Sequence, residues 1–304
     1  MPRVSILIPT LARPARRREC GEAAVASTYE DIEVVVGDDG ELGRAVCDAI
    51  DDPRLRYVAN PRRLGIAGNW NALLDGARGE LLALCMDDDR LAPGFVEACV
   101  DIFDRAPDLA VVFTAFALVD DAGNERVWTT RMPPGRHDSF AREFMIHPAL
   151  AVSAAMFTRS AWAAVRPLPG TAAADMVLFG RLAERGLPFC YVDTALMRYR
   201  THADQYSGTP AFRDDVVDAW RQLRFSDAVA ERRRRRVLSD ALAARARLRV
   251  RERRSDEARA DLRAAIAIGG PRARRHALLH PVTFAPPTVI RAGYGLWRRL
   301  RTRA

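Results

Sequence analysis

The chain has 304 residues, 49% of them hydrophobic, which is enough for one large core or for a core with an appendage. It has no run of about 18 apolar residues, and its N-terminus predicts a strand without a signal-peptide layout, so we expect neither a transmembrane helix nor a secreted protein. Five scattered cysteines without a Cys-x-x-Cys pair indicate reduced, mostly buried thiols in a cytoplasmic protein.

Charge is divided unevenly along the chain. All 47 basic residues are arginine, and the formal net charge is +8. Residues 210–304 hold 24 arginines against 10 acidic residues, a net charge of +14, whereas residues 1–209 carry a net charge of −6. The sequence therefore predicts an acidic body followed by a basic region.

Strand and helix patterns alternate over the first third of the chain. Short apolar runs predict strands at 4–8, 32–36, 55–58 and 81–86, and the stretches between and after them predict helices at 16–27, 41–50, 68–77 and 93–105. This alternation predicts an α/β fold with a mostly parallel sheet and helices on both faces. In such sheets, ligands bind beyond the carboxyl ends of the strands.

The pattern changes after about residue 110. Residues 109–128 predict two strands joined by a turn at 121–123, and residues 149–162 and 188–200 predict further strands with a helix at 175–185 between them. We expect a mixed half with an acceptor-side pocket. Beyond Pro210 the chain predicts helices, including a helix–turn–helix hairpin that breaks near Ser255 and is similar to a single tetratricopeptide-like unit.

Polar or flexible residues follow each of the first four predicted strands, so these ends could meet in one crevice. The fourth strand is followed by Asp87, Asp88 and Asp89. Adjacent carboxylates repel, so we expect a positive partner: an arginine, a helix N-terminus or a metal ion. The three residues predict either a solvated turn capping the next helix or a Mg²⁺ or Mn²⁺ site completed by phosphate oxygens.

Three other positions leave two interpretations open on the residues alone. Asp38 or Asp39 could end a strand in a polar turn or accept a hydrogen bond from a nucleobase N–H. Asp175 could be a first-turn acid of its helix or a functional carboxylate. His202 could be an ordinary loop histidine or part of a site.

The order of these motifs along the chain favours the functional interpretation of these residues. VSILIPTLAR, then IEVVVGDDG, then NPRRLGIAGNWNALLDGARGELLALCMDDDRLAPGFVE resembles the family 2 glycosyltransferases of the GT-A fold, over residues 4–207. The resemblance implies a GT-A, Rossmann-like domain at 1–209, with a nucleotide-sugar-binding half at 1–109 and an acceptor half at 110–209. An Arg-rich helical region at 210–304 would follow.

The resemblance also implies a donor site. It places the base contact on Asp38, with Asp39 beside it. The other positions implied to bind the nucleotide-sugar are Pro9, Thr10, Arg13, Gly68, Asn71, Asp87, Asp88 and Ser153.

The family's metal and catalytic positions fall on acidic residues and one histidine. The three aspartates, Asp87, Asp88 and Asp89, match the DxD metal motif, with Asp88 at the principal position and Met86 where the commonest form has its first Asp. His202 would complete the metal or phosphate site. Asp175 matches the catalytic base, although Ala174 replaces the acid that usually precedes it.

These residues imply an inverting, metal-dependent transfer of a sugar from a nucleoside-diphosphate sugar to an acceptor hydroxyl, with Mn²⁺ or Mg²⁺ as cofactor. One base and a metal suit direct displacement, unlike glycoside hydrolysis with its two flanking carboxylates. Two alternatives stay open: an inactive nucleotide-sugar-binding or scaffold protein, because of Met86 and Ala174, and a sugar-phosphate nucleotidyltransferase, although the loop after the first strand has no glycine. A dinucleotide oxidoreductase is excluded because no GxGxxG follows a strand.

The basic region predicts an anionic partner. ERRRRRVL at 231–238 and the last arginines could suit nucleic acid, but we expect none, because the preceding domain is acidic. Residues 285–304, with Trp297, predict either a peripheral membrane contact at the inner face of the cell membrane or packing on the helical hairpin. The acceptor could accordingly be lipid-linked, or it could be a soluble saccharide or small natural product. The sequence does not predict the sugar, the base or the oligomeric state.

Overall fold

The computed structural model describes residues 1–11, 14–40, 44–128, 130, 132–138, 151–203 and 205–269. The chain divides into two compact units, Met1–Gly208 and Thr209–Ala304. Arg13 and the segment 285–304 lie outside the described residues. The assignment of donor and acceptor halves within residues 1–209 remains a prediction.

The first unit is built on one ten-stranded sheet. Its strands are β1 Val4–Thr10, β2 Ile32–Asp38, β3 Leu55–Ala59, β4 Leu81–Leu84, β5 Arg90–Leu91, β6 Val111–Val119, β7 Glu125–Trp128, β8 Gly135–His137, β9 Ala155–Thr158 and β10 Phe189–Arg200. Its helices are α1 Pro14–Val25, α2 Arg44–Asp48, α3 Gly65–Gly76, α4 Phe95–Arg105, α5 Arg159–Val165 and α6 Ala174–Glu184.

The strands lie in the order β3-β2-β1-β4-β9-β6-β10-β5, with β7 beside β6 and β8 beside β10. The pairs β3–β2, β2–β1 and β1–β4 are parallel, as is β6–β10, whereas β9 runs antiparallel between β4 and β6. The predicted mixed α/β sheet is confirmed. Because β1 to β4 are parallel, their carboxyl ends share one edge, and the residues that follow them are brought together there.

β1 and β2 are buried along their whole length, and this is why each appears in the sequence as a continuous apolar run. Every residue of both strands is buried, and most are β-branched or aliphatic, as expected for strands covered on two faces. All five cysteines are buried, which confirms the burial predicted for these thiols.

The strand predicted over 149–162 is wrong in part. Residues Val152–Ala154 form a 3₁₀ turn, β9 is short, and α5 begins at Arg159. Thr158 caps this helix, because its hydroxyl accepts a hydrogen bond from the Ala161 backbone N–H at 3.1 Å. The apolar run therefore changes from strand to helix at a threonine cap.

The described part of the second unit is helical, as predicted. It contains α7 Pro210–Gln222, α8 Ala228–Arg251 and α9 Ser255–Ile268, and the hairpin breaks between the last two, just before Ser255. Thr209 caps α7 and Asp227 caps α8, each by accepting hydrogen bonds from first-turn N–H groups. Within the described residues, no helix has the length and apolar character needed to span a bilayer.

Candidate active site

The ends of β1 and β4 are joined by a buried hydrogen bond. Thr10, the last residue of β1, donates from Oγ1 to Oδ2 of Asp87 at 2.6 Å. Both residues are buried. Two positions that the resemblance assigned to the donor site, 77 residues apart, therefore lie in contact at the carboxyl edge of the sheet.

Asp89 connects the aspartate motif, residues 87–89, with Ser153 and with the end of β10. Its Oδ2 accepts from the Ser153 hydroxyl at 2.6 Å and its Oδ1 from the Arg200 backbone N–H at 3.2 Å. The Ser153 hydroxyl in turn accepts from the Met86 N–H at 3.0 Å. Burial, followed by the charge of neighbouring Asp88, raises the pKa of Asp89 to about 8. Through its bonds to Ser153 and Arg200, the Asp89 carboxyl holds the aspartate motif in place.

An arginine lies beside the three aspartates, but its charge is paired with a glutamate rather than with their carboxylates. Arg200, at the end of β10, donates from Nε to the Asp88 carbonyl oxygen at 3.3 Å and forms an ion pair with Glu19. The Arg200 side chain is 16% exposed and that of Glu19 is 45% exposed, so the ion pair is open to solvent on the glutamate side. Sequence reasoning missed Arg200, although it stands two residues before His202 in the matched YRTH stretch.

Asp88 and His202 meet although they lie 114 residues apart in sequence. The His202 Nε2 atom lies 3.1 Å from Asp88 Oδ2, and the His202 side chain is only 1% exposed. Its buried Nδ1 has no hydrogen-bond partner among the described residues. A buried imidazole nitrogen without a partner is uncommon in folded proteins, and here it is not the nitrogen that faces Asp88.

The residues fit a divalent cation as a partial site. Asp88 and His202 offer one carboxylate and one imidazole, and within the described residues no group of three His, Cys, Asp or Glu side chains has metal-binding geometry. Mg²⁺ is commonly held by one or two carboxylates, with substrate phosphates completing its coordination. Of the three aspartates, Asp88 is the one whose carboxylate contacts His202, so these two residues would be the protein ligands.

The two aspartates after β2 have different surroundings. Asp39 accepts from the backbone N–H groups of Leu64 and Gly65, at 2.7 and 2.8 Å, and from the Asn60 amide at 3.0 Å. It therefore fixes the loop before α3. Asp38 accepts from the Tyr57 hydroxyl at 3.0 Å and from the Gly40 N–H at 2.9 Å.

An aromatic and a guanidinium group stand beside Asp38. The Arg44 guanidinium lies over the Tyr57 ring, 4.8 Å from its centroid. Burial and the hydrogen bond to Asp38 raise the pKa of the Tyr57 hydroxyl, which keeps it a donor. Sequence reasoning missed this pair, because Tyr57 lies inside a strand pattern.

Replacing Asp39 by alanine should destabilise the first unit by about 3 kcal/mol, because three donors lose a charged acceptor and two of them begin a helix. Urea unfolding of the Asp39→Ala variant measures this change. Asp48→Ala is the matched control: this exposed carboxylate should change stability by less than about 0.5 kcal/mol. Equal effects of the two substitutions would show that the Asp39 bonds contribute nothing net.

The structure also shows the contacts of three further positions that the resemblance assigned to nucleotide-sugar binding. Asn71, on α3, donates to the Leu168 carbonyl and accepts from the Leu168 N–H, both at 2.9 Å, which ties α3 to the segment before α6. Gly68 lies on the same helix, where an added Cβ would come within 2.8 Å of Leu64 Cβ. Pro9 is buried in β1 opposite Gly37.

Asp175 lies in the first turn of α6, where its Oδ1 accepts from the Met176 N–H at 2.8 Å. It is half-buried, and burial raises its pKa. Tyr199 connects this residue with the aspartate motif: burial, together with the charges of Asp89, Asp88 and Asp175, raises the pKa of its hydroxyl to about 12. The aspartate motif and Asp175 therefore both affect the ionisation of the Tyr199 hydroxyl.

The fold and this edge define a class of protein: an α/β domain of the GT-A type with carboxylates at the carboxyl ends of its parallel strands. Among solved structures, the chain is similar to S. aureus TarS 1-349 in complex with UDP-GlcNAc, with a TM-score of 0.68 and 14% identity over 93% of this chain and 86% of that one. It is also similar to the mannosyltransferase PcManGT from Pyrobaculum calidifontis in complex with GDP-Man and Mn²⁺, with a TM-score of 0.56 and 19% identity over 96% and 84% of the two chains.

The sequence comparison defines the family. Residues 5–165 match the model of glycosyl transferase family 2, and the chain belongs to this family. Curated relatives include a chondroitin synthase of Escherichia coli, 27% identical over 68% of this chain, and a β-1,3-glucosyltransferase of Campylobacter jejuni that acts on GalNAc(5)-diNAcBac-PP-undecaprenol, 31% identical over 31% of this chain. The chain spans 30% and 32% of the length of these relatives. The predicted family and GT-A fold are confirmed.

Proposed function

We propose that this chain is an inverting glycosyltransferase that uses a nucleoside-diphosphate sugar and a divalent cation, with Asp175 as its general base. The observation that carries the proposal is the Asp88–His202 contact at the carboxyl edge of the sheet, since it brings a carboxylate and an imidazole 114 residues apart in sequence within 3.1 Å of each other. The fold neighbours crystallised with UDP-GlcNAc, and with GDP-Man and Mn²⁺, support a donor of this class.

The donor would lie across the strand ends. Asp38, with Tyr57 and Arg44 beside it, would accept from the nucleobase. Asp88 and His202 would hold Mn²⁺ or Mg²⁺, which when bound stabilises the negative charge that develops on the leaving diphosphate. Arg200 would hold the Asp88 backbone in position through the hydrogen bond from its Nε.

The acceptor hydroxyl would be activated by Asp175. Its carboxylate takes the hydroxyl proton as the acceptor oxygen forms a bond to the anomeric carbon, while the bond from that carbon to the diphosphate oxygen breaks and its electron pair leaves with the nucleotide. Attack from the face opposite the leaving group inverts the anomeric centre. The relatives named for chondroitin and for an undecaprenol-linked glycan support a saccharide or lipid-linked acceptor.

Isothermal titration with UDP, GDP and dTDP, with and without Mn²⁺, tests the donor site. We expect one nucleotide to bind, and Mn²⁺ to tighten it by about 5- to 150-fold, the usual range for coupled ligands. A folded chain that binds none of the three would refute the proposal. Nucleotide released from a donor sugar would separate a transferase from an inactive binding protein, and pyrophosphate formed from a nucleoside triphosphate would instead indicate a nucleotidyltransferase.

A further inference from the structure

Two acidic residues of the second unit, Asp214 and Asp261, pair with largely buried arginines of α8. Arg245 binds Asp261 through two hydrogen bonds of 2.9 and 2.7 Å, and Arg249 binds the same carboxylate at 2.9 Å. Both arginines also bind Asp214, at 2.9 and 3.0 Å. These contacts neutralise the buried side of α8. Asp214 and Asp261 therefore pair with arginines on the buried side of α8 and not with those on its outer side.

The outer side of α8 carries an arginine face, which we define as Arg233, Arg236 and Arg247. At 100° per residue these three positions fall within about 60° of one another around the helix. All three are exposed, and none pairs with an acidic residue in the described part of the chain. Asp240 is the acidic residue that shares this side. The face therefore has a net positive charge.

The face is a straight row rather than a pocket. From Arg233 to Arg247 the helix rises by about 21 Å at 1.5 Å per residue. Ala244 is the small side chain between the charges, and the described part of this side has no aromatic residue. A compact anion would reach only one or two of these arginines. A planar anionic surface would reach all three.

We propose that the arginine face of α8 is an electrostatic docking surface for anionic lipid headgroups. The argument is charge complementarity: each basic residue near an anionic bilayer contributes a similar increment, and a row of exposed arginines matches a plane of phosphodiesters. Single-stranded nucleic acid is less well matched, since the face offers no aromatic side chain to stack on a base. The inference does not depend on the proposed sugar transfer.

Co-sedimentation of the full chain with vesicles tests the docking surface. The probes are vesicles of mixed phosphatidylglycerol and phosphatidylcholine, and vesicles of phosphatidylcholine alone, at physiological and at raised ionic strength. We expect binding to the anionic vesicles only, weakened by salt. The variant R233Q/R236Q/R247Q should lower the partition coefficient by about 100-fold, or about fivefold per arginine.

The control variant is R213Q/R253Q/R263Q, which removes the same charge from exposed arginines elsewhere in this unit. It should lower partitioning by less than about tenfold, and circular dichroism should show that both variants keep their helices. Equal losses in the two variants would overturn the proposal, as would unchanged binding of the face variant or equal binding to neutral vesicles. Tighter binding to a DNA duplex than to anionic vesicles at the same ionic strength would reassign the face to nucleic acid.

Discussion

Replacing Asp175 by asparagine should slow sugar transfer about 10²- to 10⁴-fold and leave nucleotide affinity unchanged. Asparagine keeps the shape of the side chain, and its Oδ1 can still accept the hydrogen bond from the Met176 N–H. An amide cannot take the acceptor proton. The measurement is the rate of nucleotide release from the donor sugar, beside a titration of the same variant with nucleotide.

The pH dependence of this rate provides a second readout. Burial raises the pKa of Asp175, and a base must be deprotonated to act, so kcat/KM should fall as the pH is lowered through this raised value. The acid limb should therefore lie above the ordinary carboxyl range. In Asp175→Asn the residual rate should lose this limb.

Asp193→Asn is the control, because Asp193 is an exposed carboxylate on β10. It should keep both the rate and the acid limb. If Asp175→Asn also kept them, the carboxylate would be only a first-turn acid of α6, the other interpretation of this residue.

The general position of the site follows from the sequence because it depends on local patterns. The apolar runs of β1 and β4 predict parallel strands, and parallel strands bring the residues after them to one edge. The strand ends were therefore expected to meet in one crevice, where Thr10 and Asp87 share a hydrogen bond. The connection of Asp88 with His202 could be anticipated only through the family resemblance, since nothing local links the two.

The different contacts made by neighbouring aspartates could not be predicted from the sequence. Asp88 and Asp89 have the same chemistry, and only the distant groups Ser153 and Arg200 make Asp89 a structural anchor. The same is true of Asp38 and Asp39. Asp39 is occupied because the loop before α3 turns back onto it, and a single sequence does not show this return.

Asn71 illustrates a second limit. The resemblance assigns it to the donor site, whereas its amide bonds both backbone groups of Leu168. The pairing depends on how the segment before α6 packs against α3, over 97 residues of separation. Its effect on donor binding remains a prediction. Motif position identifies the neighbourhood of a residue more reliably than its hydrogen-bond partners.

Replacing Asp88 by alanine should abolish the tightening of nucleotide binding by Mn²⁺, a loss of about 5- to 150-fold in metal-dependent affinity. The reason is that Asp88 Oδ2 is the carboxylate oxygen that faces the His202 imidazole. Isothermal titration with the nucleotide identified for the wild type, with and without Mn²⁺, measures the change.

The His202→Ala variant should lose the same metal dependence, and the double variant Asp88→Ala/His202→Ala should lose little more, because two ligands of one ion act as a unit. Asp193→Ala should behave as the wild type. Urea unfolding of each variant is needed beside the titrations, because His202 is buried and its removal leaves a cavity. If a folded Asp88→Ala variant kept the full response to Mn²⁺, the ion would be held by other residues, and the Asp88–His202 contact would be structural.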